Sequence, residues 1–200
     1  MGARKIRKEK TSEEKSTKKL PFYVYGIAAI VLAVGVYLVM KLFVLNPNRS
    51  AKKVSEAAFR AIYMDVDFKE FKDRTIFSDN CQKYLRMEVA WELAESEAKF
   101  AEMKGEVDFT MKVESVQTTE YKKGDEQFQK AVAMLLAMNP EADTGAIDRA
   151  ALTTIGFSFR YDDETSWEKG TEKYWAFRVN GLWYCHPLLE EEPVVDYSEQ

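Results

Sequence analysis

The chain has 200 residues, carries 29 Lys and Arg against 33 Asp and Glu, and holds two cysteines and one histidine. That inventory excludes a local zinc site, because there is no C-x-x-C or H-x-x-x-H pair to build one. The formal net charge of −4 conceals a strong polarity along the chain.

Residues 1–19 contain eight bases, Arg4, Lys5, Arg7, Lys8, Lys10, Lys15, Lys18 and Lys19, against three glutamates. With no apolar pattern, this segment reads as a short disordered tail that fixes topology and touches anionic lipid, not as a nucleic-acid binder. An uncharged run of 21 residues follows from Leu20 to Met40, "LPFYVYGIAAIVLAVGVYLVM". At about 1.5 Å per residue it spans roughly 30 Å, the thickness of a bilayer's hydrocarbon core. It is longer than the roughly 7–15 apolar residues of a signal peptide and no A-x-A-like site follows, so an uncleaved membrane helix over 20–45 is predicted. Residues 41–55 hold only four bases, Lys41, Arg49, Lys52 and Lys53. The bias places the N-terminus in the cytoplasm and the larger C-terminal part outside the cell membrane.

Removing the tail and Lys41 leaves 20 bases and 30 acids, a net charge near −10. Such a surface repels nucleic acid and polyanionic wall polymers and tolerates basic partners. An acceptor-type tripeptide for glycosylation, Asn48-Arg49-Ser50, lies so close to the bilayer that helix capping is its expected role. The final stretch, "EEEPVVDYSEQ", has five acids and no base, and residues 188–200 read as a solvated acidic tail.

Between them, 46–187 is the length of one domain with its own core. "SAKKVSEAAFRAIYMDVDF" carries small and apolar residues at helical spacing, and "DFKEFKDRTIF" reads as a short connector with Phe68, Phe71 and Phe77 as core anchors. A longer helix is predicted from Ser78 or Asp79 to Gly105. Val107, Phe109, Met111 and Val113 alternate as a half-buried strand, "KKGD" makes a turn, and 126–138 returns to helical spacing until Pro140. Ile155, Phe157, Phe159 and Tyr161 form a second strand, and 172–179 with 182–187 form a hairpin about Asn180-Gly181. Helices followed by an antiparallel sheet define an α+β layered fold.

The early alanine-rich helix, the alternating sheet and the closing "FRVNGLWYCHP" resemble the NTF2-like, cystatin-like cone family, whose last strand often carries a "dGkW" signature. The resemblance covers about 50–187, with 126–138 as an insertion. It implies helices on an antiparallel sheet behind a membrane helix, as in Firmicutes envelope families and VirB8-like components of secretion and conjugation machines. The fold also hosts dehydratases and isomerases, so it does not decide activity. Some NTF2-like enzymes carry a catalytic aspartate where Asp65 and Asp67 stand, but no histidine partner motif accompanies them here.

Cys185 and His186 are adjacent, and strand alternation sends neighbours to opposite faces, so they do not form a nucleophile–base pair. Two hairpin registers stand open. A two-residue turn pairs Val179 with Leu182 and Trp175 with His186, whereas a bulge at Gly181 puts Trp175, Phe177, Trp183 and Cys185 on one face. The resemblance favours the bulge. Cys81 and Cys185 form either a disulfide or two buried thiols. Trp91, Tyr161, Trp175, Phe177 and Trp183 are the candidates to line a cone-shaped cavity. "DDETSWE" at 162–168 lacks the glycine and spacing of a calcium loop.

The expected function is a non-enzymatic, membrane-anchored extracytoplasmic domain that binds another envelope protein, with no cofactor, metal or nucleic acid. The alternative is a small-ligand binding module, or an enzyme, that uses the cavity of the cone.

Overall fold

The computed structural model describes residues 31–37, 40, 46–104, 109–162 and 165–187. The chain divides into two compact units, Met1–Leu42 and Phe43–Gln200. In the first, 31–37 is helical and exposed; the rest of the expected membrane helix at 20–45, apart from Met40, lies outside the described residues, as do the tails 1–19 and 188–200. Among the described residues no helix is long and apolar enough to cross a membrane.

The second unit opens with a 3-10 turn, Pro47–Arg49, where the Asn46 side chain accepts the Asn48 N–H at 3.0 Å. Asn48 is buried, donates through its amide to the Asp73 carbonyl at 3.2 Å and accepts from Arg74 at 2.7 Å. Its amide is thus built into the fold. Ser50 precedes the first helix but forms no side-chain cap bond.

Helix α1, Ala51–Tyr63, buries Ala51, Val54, Ala58 and Ala61 at spacings of three and four, a stripe of small side chains that lets the helix lie close on the sheet. It ends where the Asp67 N–H reaches back to the Ala61 carbonyl at 2.9 Å around Val66 at φ 44°. Glycine is the usual residue there; valine is accommodated because its side chain packs half-buried on the core. The expected connector is instead a helix, α2, Phe68–Arg74. Asp67 caps it by accepting the Glu70 N–H at 3.0 Å, and Glu70 pairs with Arg74 at 2.7 Å, two local bonds that make a seven-residue helix viable.

The long helix expected from 78 to 105 is broken into α3, Asp79–Leu85, and α4, Ala90–Met103, and Gly105 lies outside the described residues. Arg86 takes the left-handed conformation at φ 52°. The Gln82 side chain then replaces the lost helical bonds, accepting from the Met87 N–H at 3.1 Å and donating to the Ile76 carbonyl at 2.6 Å. The extended segment this frees sends Leu85, Met87 and Val89 all into the core, which continuous helix could not do.

Strands β1 (Phe109–Lys122), β2 (Ile147–Tyr161), β3 (Glu168–Val179) and β4 (Leu182–His186) form one antiparallel sheet in the order β1-β2-β3-β4. Helix α5, Glu126–Met138, interrupts them with the predicted bounds. The first two strands run longer than the apolar alternation suggests, and the β1–β2 register shifts between Val113 and Ser115. Thr75 pairs in parallel with Cys185, and the Ile76 N–H donates to the Cys185 carbonyl at 2.9 Å, so the outer edge of β4 is covered. The fold is α+β, with helices on both faces of the sheet.

One face carries Ala150, Trp175, Phe177 and Tyr184 under α2 to α5, with Phe71, Leu85, Phe100 and Leu135 in the same cluster. Phe71 and Phe100 join α2 to α4 at a ring separation of 4.9 Å. The other face lies under α1, where Ala51 and Val54 meet Ala151, Ala176 and Trp183, and Phe59 meets Ile155, Tyr174 and Cys185. Full burial of a side chain such as Phe59 or Phe177 contributes about 1.5–3 kcal/mol.

Candidate functional site

The hairpin turns through Asn180 at φ 49° and Gly181 at φ 77° as a two-residue turn, the geometry that matches strand twist. Trp175 therefore opposes His186, Phe177 opposes Tyr184, and Ala176 opposes Cys185. The bulged register favoured by the family resemblance is not formed, and Trp183 and Cys185 face away from Trp175 and Phe177. Both central turn residues tolerate the left-handed region, which is why no bulge is needed.

This register settles the cysteine–histidine question. Cys185 lies under α1 facing Ser55, and His186 lies on the opposite face; both are buried. Burial pushes the Cys185 thiol up to about 12 against the opposing pull of the Ser55 hydroxyl. Burial also pushes the His186 imidazole down to about 3, against an opposing backbone hydrogen bond. A neutral thiol and a neutral imidazole on opposite faces cannot exchange a proton.

Cys81 is a second buried free thiol, raised strongly by burial. It belongs to the cluster of Tyr184 and Phe177, whereas Cys185 belongs to that of Phe59 and Tyr174. The candidate disulfide between Cys81 and Cys185 is not formed, since the two thiols stand on opposite sides of β4.

The five candidate pocket aromatics do not converge. Trp91 is 77% exposed on α4 and Tyr161 is 45% exposed at the end of β2. Trp175 and Phe177 are packed in one cluster and Trp183 in another. The Trp175 indole N–H is buried with no hydrogen-bond partner among the described residues. A cavity of about 480 Å³ lies elsewhere, between the α1–α2 junction and the end of α4. Asp65, Asp67, Phe68, Glu97, Phe100 and Lys104 are among its lining residues. No group of three or more metal-ligating side chains is assembled among the described residues.

Two arrangements escaped sequence reasoning. Tyr63 donates to Glu172 at 2.9 Å and Tyr174 donates to the same carboxylate, tying α1 to β3. Burial raises the Tyr174 phenol far above its ordinary range, with neighbouring Tyr63 and Glu172 adding to it. The second is a bare half of the sheet. Beyond Trp175 no described helix packs on the face that carries it, and register aligns exposed Lys112 with Ser158 and exposed Lys169, Ser115 with Gly156 and Thr171, and Gln117 with Thr154 and Lys173. Trp167 lies at its margin with the Lys112 ammonium 4.0 Å and the Arg160 guanidinium 5.3 Å from its ring centre. No signal in one strand reveals this face, because three strands contribute to it.

No protein-family model matches the chain, and no curated protein or solved structure matches it either.

Proposed function

We propose that this chain is a single-pass membrane protein whose residues 46–187 form an extracytoplasmic, NTF2-like, non-enzymatic domain that binds another protein of a cell-envelope assembly. The observation that carries this reading is the contrast between interior and surface. Trp175, Phe177 and Trp183 are packed in the core, while a three-strand face exposes Lys112, Lys169 and Lys173, with Lys112 and Arg160 against the Trp167 ring. Anchoring rests on the uncharged run from Leu20 to Met40 and on the basic residues before it.

A second reading, small-ligand binding, moves from the aromatic residues to the cavity beside Phe68 and Phe100, whose 480 Å³ is within the range of ligand sites. In-cell crosslinking of the full-length protein, then purification in mild detergent, separates the two. A specific envelope protein, lost when the residues after Ser50 are replaced by an unrelated domain, supports the interaction reading. No protein partner, with a small molecule retained in native mass spectrometry, overturns it.

A further inference from the structure

The bare half of the sheet is a cationic surface on a domain of opposite overall charge. It presents Lys112, Lys169 and Lys173 within three cross-strand rows, with Arg160 one row further along β2. Among the described residues of these rows, the Glu114 carboxylate accepts from the Ser158 hydroxyl at 2.6 Å. Trp167 holds two of the cations over its ring, so that part of their ordering cost is met before anything binds. A second copy using this face would set lysine against lysine, which disfavours it.

The chain carries a segment of matching charge. Residues 188–200 hold Glu190, Glu191, Glu192, Asp196 and Glu199 and no base. The segment starts next to the face, because β4 ends at His186, which opposes Trp175, two positions along β3 from Lys173. At about 3.3 Å per residue, Lys173 is roughly 7 Å and Lys169 roughly 20 Å along the strand from that row. Glu190 to Glu192 lie four to six residues beyond His186 and reach about 13–20 Å when extended.

We propose that the acidic segment 188–200 docks in cis on this basic face, with the 190–192 carboxylates against Lys169 and Lys173 and the later acids against Lys112 and Arg160. Tethering supplies an effective concentration in the millimolar range, which compensates for the weakness of single exposed ion pairs. The inference does not depend on the membrane or envelope reading.

The test is zero-length carboxyl-to-amine crosslinking of the full-length protein in mild detergent, using an equal mixture of ordinary and 15N-labelled chains. Expected are links within one chain from 190–192 to Lys169 and Lys173, roughly fivefold over links to Lys52, Lys53 and Lys104 at low salt. That excess should fall away near 0.5 M salt, where the screening length is only about 4 Å. Links between light and heavy chains, links spread evenly over those lysines, or no tail links at all would each overturn the proposal.

Discussion

The ring of Phe157 lies over Gly170 on the neighbouring strand, so that a Cβ placed at Gly170 would come within 2.4 Å of the ring. Phe157 in turn packs against Phe59 of α1, tilted by 43° at a ring separation of 5.2 Å, so the ring cannot retreat without disturbing that helix. Gly170→Ala should destabilise the domain by about 1–3 kcal/mol. Combining it with Phe157→Leu should recover part of that loss, because the two sites share one space. Urea denaturation of the two single variants and the double variant checks both statements.

His186 makes the stability of the domain fall with acid. The unfolded imidazole takes a proton near 6.5 while the buried one resists until about 3. Between those values the unfolded state binds more protons, and stability falls as pH drops, by up to about 1.4 kcal/mol per unit once pH is well below 6.5. As this is the only histidine, denaturation at pH 6.5 and 5 should show a loss in the native chain that is much reduced in His186→Gln. An equal loss in both chains would refute the assignment.

Both thiols should be silent in the folded protein. With burial raising each of them, thiolate is scarce at pH 8 and access is closed. A maleimide or disulfide reagent should label neither until denaturant is added, then both. Oxidising conditions should leave the melting temperature unchanged, because no bridge forms across β4.

The two left-handed residues predict opposite behaviour. Arg86 is exposed at φ 52°, so Arg86→Gly should relieve strain and gain a few tenths to about 1 kcal/mol. Val66, at φ 44°, packs on the core, and Val66→Gly should gain nothing, since lost burial offsets the relief. Thermal melts of the two variants give the comparison directly.

The tryptophans separate by environment. Trp91 is 77% exposed and Trp175 is 2% exposed. Trp91→Phe should remove most of the acrylamide-quenchable emission with stability within about 0.5 kcal/mol of native, whereas Trp175→Ala should cost about 3–5 kcal/mol.

Much of this architecture is legible in the sequence where one physical rule dominates. Helix α5 follows from its spacing and the turns around it, and the separation of Cys185 from His186 follows from strand alternation alone. The break at Arg86 is not legible, because it depends on the Gln82 side chain reaching Met87 and Ile76. The hairpin register stays ambiguous in the sequence, since Asn-Gly suits both a two-residue turn and a bulge, and the family resemblance points to the wrong one. The basic face is invisible for another reason. Lys112, Arg160, Lys169 and Lys173 belong to three strands and gather only through pairing.

Asn48 bonds to Asp73 and Arg74 at the far end of α2. Tension applied to the chain before Pro47 is therefore received first by that short clamp rather than by the strand ladder. Under load, the sheet and the surface it displays should keep their shape until the clamp at Asn48 gives way.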